Sequence, residues 1–209
     1  RFAALFSDWC EYPPLYFFLN TWLTKAWNSR VLGGKGLSAI PYLHVRDAAV
    51  CLERILESSS IIEQREVFNI SRDGATNHVE LFEQATHTFF GQRVKAIFMP
   101  KLMCLIGVHG MDLLGRLAGS RPFERPWMMD YLDQALTIDS SRTRERLGWE
   151  PRDRLEILRR IPFMLEHPKT DPDTWHQRNI AALKEANVRP HLRIYRLLEK
   201  HSDEIRKEF

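Results

Sequence analysis

Two residues in the stretch IPYLHVRDAAVCLERILE (40–57) carry side chains suited to moving protons. They are His44, whose imidazole titrates near neutrality, and Asp47, three residues further on. Two roles are open to each. Asp47 either caps the helix predicted by the apolar spacing of Ala48, Cys51, Leu52, Ile55 and Leu56, or acts as an acid or base. His44 shares a strand face with Ile40 and Tyr42, and is either a satisfied, partly buried histidine or a proton carrier. No nucleophile stands close by in the sequence, so an architectural role is the expectation for both.

Other chemistry-bearing groups are dispersed. Gly33, Gly34 and Gly36 in RVLGGKGLSAI (30–40) do not match G-x-G-x-x-G, because no Gly takes the sixth place. A hairpin or loop is expected there in place of a phosphate cradle. The eight histidines contain neither HxxxH nor HExxH, so no metal site is expected. Cys10, Cys51 and Cys104 are odd in number, far apart and without CxxC spacing, which argues against a disulfide framework. A reducing, cytoplasmic setting is the corresponding expectation. Arg121 and Arg125, in SRPFERP, are candidate anion contacts set against a reading as solvated loop arginines. The arginines between Arg142 and Arg160 are interleaved with Glu145, Glu150, Asp153 and Glu156. They predict a solvated helical surface with local ion pairs and no nucleic-acid partner.

The elements that must hold these groups follow from patterning. The chain has 209 residues, 44% apolar and 27% charged, with a net charge of +3, enough for a sizeable core. Its most apolar stretch, 102–119, is interrupted by His109, Asp112 and Arg116, so it predicts one or two core helices and no membrane span. RFAALF (1–6) reads as the inside of a buried strand, and the chain is expected to start partway through a larger protein. A helix follows at 12–29 with Pro13 and Pro14 at its start, then strand 40–45 and the helix after it. EVFNI (66–70), RVKAIFMP (93–100) and ALTID (135–139) read as strands. Asn77 and Glu80 form a capping box for helix 78–90, which Gly91 stops. Helices are predicted over 140–148 and 153–166. A linker spans 167–174, with Asp171 and Pro172 opening the next helix at 172–187, and a last helix covers 190–208. Strands alternate with helices to about residue 165 and the remainder is helical, giving an α/β portion, 1–167, and a helical-hairpin C-terminal extension, 168–209.

The order of RFAALFS (1–7), PYLHVRDAA (41–49), EVFNI (66–70) and DSSRTRERLGWEPR (139–152) resembles the C-terminal half of the extended short-chain dehydrogenase/reductase family, the NAD-dependent epimerases and dehydratases. The resemblance covers roughly residues 1 to 165 and implies the C-terminal portion of a Rossmann-like fold. It also implies NAD or NADP as cofactor of the complete protein, a small-molecule substrate, an upstream nucleotide-binding half and the option of a homodimer. The family's GxxGxxG turn and Tyr-x-x-x-Lys pair do not occur in this chain, so no catalytic residue is assigned. By the same resemblance Leu5 matches the position facing the nicotinamide, and Ala4, Phe6 and Tyr42 belong to the substrate wall together with Arg121 and Arg125. Ala4 stands where nucleotide-sugar enzymes commonly have Asn, and Ile40 where they often have Arg. Neither can hydrogen-bond a diphosphate, so a less polar substrate stands beside a sugar nucleotide. A non-catalytic binding or regulatory module of reductase-like shape is the alternative function.

Overall fold

A computed structural model describes residues 1–26, 28–60, 62, 63, 65–119 and 124–185. Ala4–Phe6 (β1) continues the apolar start of the chain and pairs in parallel with Tyr42–His44 (β4), Ala4 facing Tyr42 and Phe6 facing His44. EVFNI is paired with the chain start but forms no full strand. Ala3 donates its N–H to the Ile70 carbonyl (3.0 Å) and Ile70 returns one to Arg1 (2.8 Å). The Gly-rich connector, expected as a loop or hairpin, contains two short strands. Val31–Gly33 (β2) pairs in parallel with Ile97–Met99 (β6), and Ala39–Ile40 (β3) pairs antiparallel with Thr76–Asn77 (β5).

Between these strands the turn wraps a carboxylate of its own chain. Asp133 accepts the N–H groups of Lys35 (2.8 Å) and Leu37 (3.2 Å). Gly34, at φ +65°, passes so close that a β-carbon there would strike the Asp133 carboxyl group. The loop's amides are thus committed to a protein anion.

Seven helices complete the described structure. Pro13–Trp22 (α1) opens with proline in its first turn and buries Leu15, Tyr16, Leu19 and Trp22. Val45–Glu57 (α2) follows β4 without a break. His78–Phe90 (α3) begins with the predicted Asn77–Glu80 capping box and ends at Gly91 in the left-handed region. Lys101–Leu117 (α4) is a single helix. Contrary to the core location its composition predicts, most of it is exposed, and its buried residues are Cys104, Asp112 and Gly115. Ser141–Leu147 (α5) is closed by Gly148, and Ile157–Thr170 (α6) starts at Glu156, whose carboxylate accepts the N–H groups of Leu158 and Arg159.

The predicted linker at 167–174 is largely helical, since α6 runs to Thr170 through Pro162 and Pro168. Burial of Ile161, Met164, Leu165 and Pro168 on one face outweighs the hydrogen bonds those prolines cannot donate. Pro172–Glu185 (α7) has Asp171 accepting the N–H of Thr174 (3.2 Å), as its sequence predicts. It docks on its own domain against α1 and α6, with Trp175 and Leu183 buried in the main core. The predicted helix at 190–208 lies outside the described residues.

Two cores result. Phe6 and Tyr42 join α1, α3, α6 and α7 in the first, and Leu43 joins α2 and Trp149 in the second. The stripe on α2 is rotated from the predicted one. Asp47, Ala48 and Cys51 are buried, while Leu52 and Leu56 face solvent.

Candidate functional site

The alternation of β1 and β4 divides their side chains between two surroundings. Phe6 and Tyr42 turn into the first core, their rings edge-to-face at 6.2 Å, and His44 packs edge-to-face on Phe6 at 5.1 Å. Ala4 and Leu5 are only half-buried and line an open cleft of about 850 Å³. Ile40, Pro41 and the segment Leu136–Ile138 form other parts of its wall, and Tyr12 and Glu11 stand at one side. Ala4, Leu5 and Ile40 thus meet in one cleft, whereas Phe6 and Tyr42 are buried in the first core and do not line it. Arg125 is elsewhere, paired with Asp112 on α4 (3.3 Å), and Arg121 lies outside the described residues. Tyr12 and Leu136–Ile138 had no motif to single them out, because only the tertiary fold brings them to β1.

The cleft has a definite electrostatic character. Among the described residues no Lys or Arg lines it, whereas Glu11 and Glu185 do. Glu11 is anchored from the far side by Arg178 (2.7 Å) and accepts a hydrogen bond from the Ser7 hydroxyl. Burial pushes the Tyr12 and Tyr42 phenols up, so both are neutral at physiological pH. The Tyr42 hydroxyl is buried and lacks a hydrogen-bond partner among the described residues. This wall suits apolar contact and a few polar ones; its described residues offer no cation for a diphosphate.

The loop joining β1 to α1 is a tight turn, Ser7 and Cys10 exchanging two backbone hydrogen bonds of 3.0 Å. Cys10 (φ 75°) and Glu11 (φ 52°) both occupy the left-handed region, at a cost of about 1–3 kcal/mol each. Asn179 on α7 holds the turn, accepting the Glu11 N–H (2.9 Å) and donating to the Trp9 carbonyl (2.9 Å). Cys10 itself is fully buried and its thiol is pushed up to about 12, so it is no nucleophile.

His44 and Asp47 prove to be structural, by a route that the sequence did not disclose. His44, not Asp47, is the N-cap of α2: its Nδ1 accepts the N–H of Arg46 (3.1 Å). The ring proton therefore sits on Nε2 and is directed to Asp8 (3.2 Å). Both ring nitrogens are engaged and the side chain is 1% exposed, which leaves no free nitrogen for proton transfer. Burial lowers the His44 pKa, against the pull of Asp8. For Asp8 burial acts upward, but hydrogen bonds from Arg160 and His44, with their charges, bring it below the ordinary carboxylate range.

Asp47, expected as the cap, is instead buried in the first turn of α2. It receives the Arg152 N–H (3.1 Å) and side-chain Nε (2.7 Å), while Trp149 donates to its carbonyl (3.2 Å). The HVRDAA and LGWEPR stretches are therefore each other's partners. Four of the other arginines pair across the fold: Arg142 and Arg146 with Glu66, Arg144 with Asp73, and Arg160 with Asp8. No group of acidic, His or Cys side chains able to hold a metal occurs among the described residues.

No protein-family model matches the chain, and no curated protein does. Solved structures do match. The UDP-glucose 4-epimerase of Thermotoga maritima, solved with UDP-glucose, superposes over 83% of this chain at TM-score 0.51 and 17% identity. A variant UDP-glucuronic acid 4-epimerase of Bacillus cereus, solved with a fluorinated UDP-glucuronic acid and NAD, superposes over 81% at TM-score 0.51 and 14% identity. The likeness is one of fold. This α/β arrangement is that of Rossmann-like epimerases, and the chain spans less than half their length, 46% and 44% respectively.

Proposed function

We propose that this chain is the substrate-side portion of an NAD(P)-dependent epimerase, dehydratase or reductase. Residues 1–167 form the pocket side, and α7, at the start of the extension 168–209, braces it. The observation that supports this reading is the cleft itself. Ala4, Leu5 and Ile40, positions that the resemblance puts beside nicotinamide and substrate, line one open surface. When bound to the complete protein, the nicotinamide would supply hydride acceptance and return. Leu5 offers its ring a flat apolar contact. Among the described residues the diphosphate has no cradle, since the glycine loop is filled by Asp133 and no Lys or Arg lines the cleft. An upstream half would hold it and would supply the Tyr-x-x-x-Lys proton transfer. Ala4 and Ile40, apolar where nucleotide-sugar enzymes commonly have Asn and Arg, favour a substrate less polar than a sugar nucleotide.

Titration calorimetry with NAD tests the reading. The 209-residue chain alone is expected to give no tight binding, and the same chain extended by its upstream residues is expected to bind. Tight binding by the chain alone would overturn the assignment of the cofactor site to another segment. A second reading, a non-catalytic module of the same shape, draws on the two apolar replacements, Ala4 and Ile40. An extended protein with degenerate GxxGxxG and Tyr-x-x-x-Lys motifs that binds small molecules without hydride transfer would favour it.

A further inference from the structure

The helix α4 presents a surface that neither the cleft nor the cores use. An α-helix advances about 100° per residue, which puts Leu102, Leu113, Ile106, Leu117, Met103, Leu114 and Met111 within about 180° of one another. These seven side chains are between 57% and 79% exposed. No polar side chain interrupts their half of the helix, and Gly107 and Gly110, also on it, have open space around them. The buried positions, Cys104, Asp112 and Gly115, fall within about 80° on the other side. Lys101, His109, Asp112 and Arg116 form a narrow charged strip beside that attachment.

We propose that this face rests in the interfacial region of an anionic lipid bilayer. A protein partner of ordinary chemistry needs about one hydrogen bond per 100–200 Å² of contact, and this half-cylinder offers no side chain to make one. A bilayer needs none. It asks for an apolar face accompanied by aromatic and cationic groups, and both occur near α4, aromatic ones on the turn packed against it and cationic ones on the chain leading into it. Trp127, 59% exposed, packs edge-to-face on exposed Tyr131 in the 3₁₀ turn Pro126–Tyr131, which lies against α4. From Gln84 to Met111 the sequence contains no Asp or Glu, while Arg93, Lys95 and Lys101 are all exposed. At 17 residues α4 is shorter than the ~20 that a span requires, and no helix among the described residues is long and apolar enough to cross a membrane. The geometry is that of a helix lying in the plane of the surface.

Vesicle co-sedimentation of the 209-residue chain tests this, with phosphatidylcholine vesicles containing about 30 mol% phosphatidylglycerol and with pure phosphatidylcholine as reference. Binding is expected to the anionic vesicles, weaker at high salt, and to fall at least roughly tenfold in the Leu113→Asp/Leu117→Asp variant. Both positions face solvent, so the variant should keep the parent's circular dichroism and melting temperature. If it does not fold, quenching by brominated lipids takes its place: Trp127 fluorescence, taken as the difference from Trp127→Phe, is expected to be quenched. Absence of vesicle binding, binding undiminished in the variant, or an unquenched Trp127 would each overturn the proposal. So would a dimer in light scattering that the double variant converts to monomer without any vesicle binding, since the face would then be a protein interface.

Discussion

His78 shows most directly how a single residue's surroundings set a measurable property. It opens α3 beneath Phe18, edge-on at 4.6 Å, and its Nε2 is buried without a hydrogen-bond partner among the described residues. Burial depresses its pKa from an ordinary value of 6.5 to about 4, against a weak upward pull from Asp133. Below pH 6.5 the unfolded chain therefore takes up a proton that the folded chain refuses. Stability is expected to decline as pH falls from about 6.5 to 4, at up to roughly 1.4 kcal/mol per pH unit from this group. His44, depressed in the same direction, adds to that window. Asp8 acts lower down, its depressed pKa giving stability that is lost only as pH falls below 3.8. Replacing His78 with Phe should flatten the upper limb in melting curves recorded between pH 7 and 4. An unchanged slope would remove His78 as its source. The cap made by His44 illustrates why the residue scale was only partly readable. Histidine is not among the residues favoured at helix starts, and its choice here depends on burial beside Phe6 and on Asp8, neither visible in the local sequence.

At the scale of elements, what the sequence disclosed was what neighbouring residues decide. The Asn77–Glu80 box, the Gly91 and Gly148 stops and the Asp171–Pro172 start all act within one turn, so their spacing carried the information. The lock between α2 and the LGWEPR stretch acts across 105 residues of chain, and there the local reading of Asp47 as a cap misled. Periodicity has the same limit on α4. It identified a helix, but not whether anything covers it. The lock makes a sharp prediction. Asp47 is buried with two hydrogen bonds from Arg152, and its removal leaves them unanswered. Asp47→Ala is expected to cost roughly 3 kcal/mol, lowering the melting temperature by roughly 6–12 °C. Arg152→Ala should cost at least as much, because it leaves the buried Asp47 carboxylate without its guanidinium partner. Equal and small losses from both, measured by thermal denaturation, would mean that the pair adds little.

For the molecule as a whole, the helix that follows the family-like portion matters most. Trp175 and Leu183 complete the first core, and Asn179 and Arg178 brace the turn beside the cleft. Ending the chain after Pro168 should expose Leu15, Tyr16 and Leu19, and lower the melting temperature by several degrees. An unchanged melt together with a shift from dimer to monomer in light scattering would instead make this region an assembly device. The sequence separated 168–209 as an extension because its helices follow each other without a strand. Its tie to the turn between β1 and α1 was out of reach, since nothing in a helical stripe names the loop it will hold.

That tie has a consequence for how the protein is made. The strained turn at Cys10 and Glu11 is secured by Asn179, 168 positions later in the chain. At about 5–20 residues per second, roughly ten to thirty seconds pass on the ribosome before the clasp for that turn exists. Until then β1 and its apolar neighbours must wait in an unfinished state. A chain released before Asn179 emerges would carry that exposed surface into the cell with no means of closing it, a natural target for chaperones and proteases.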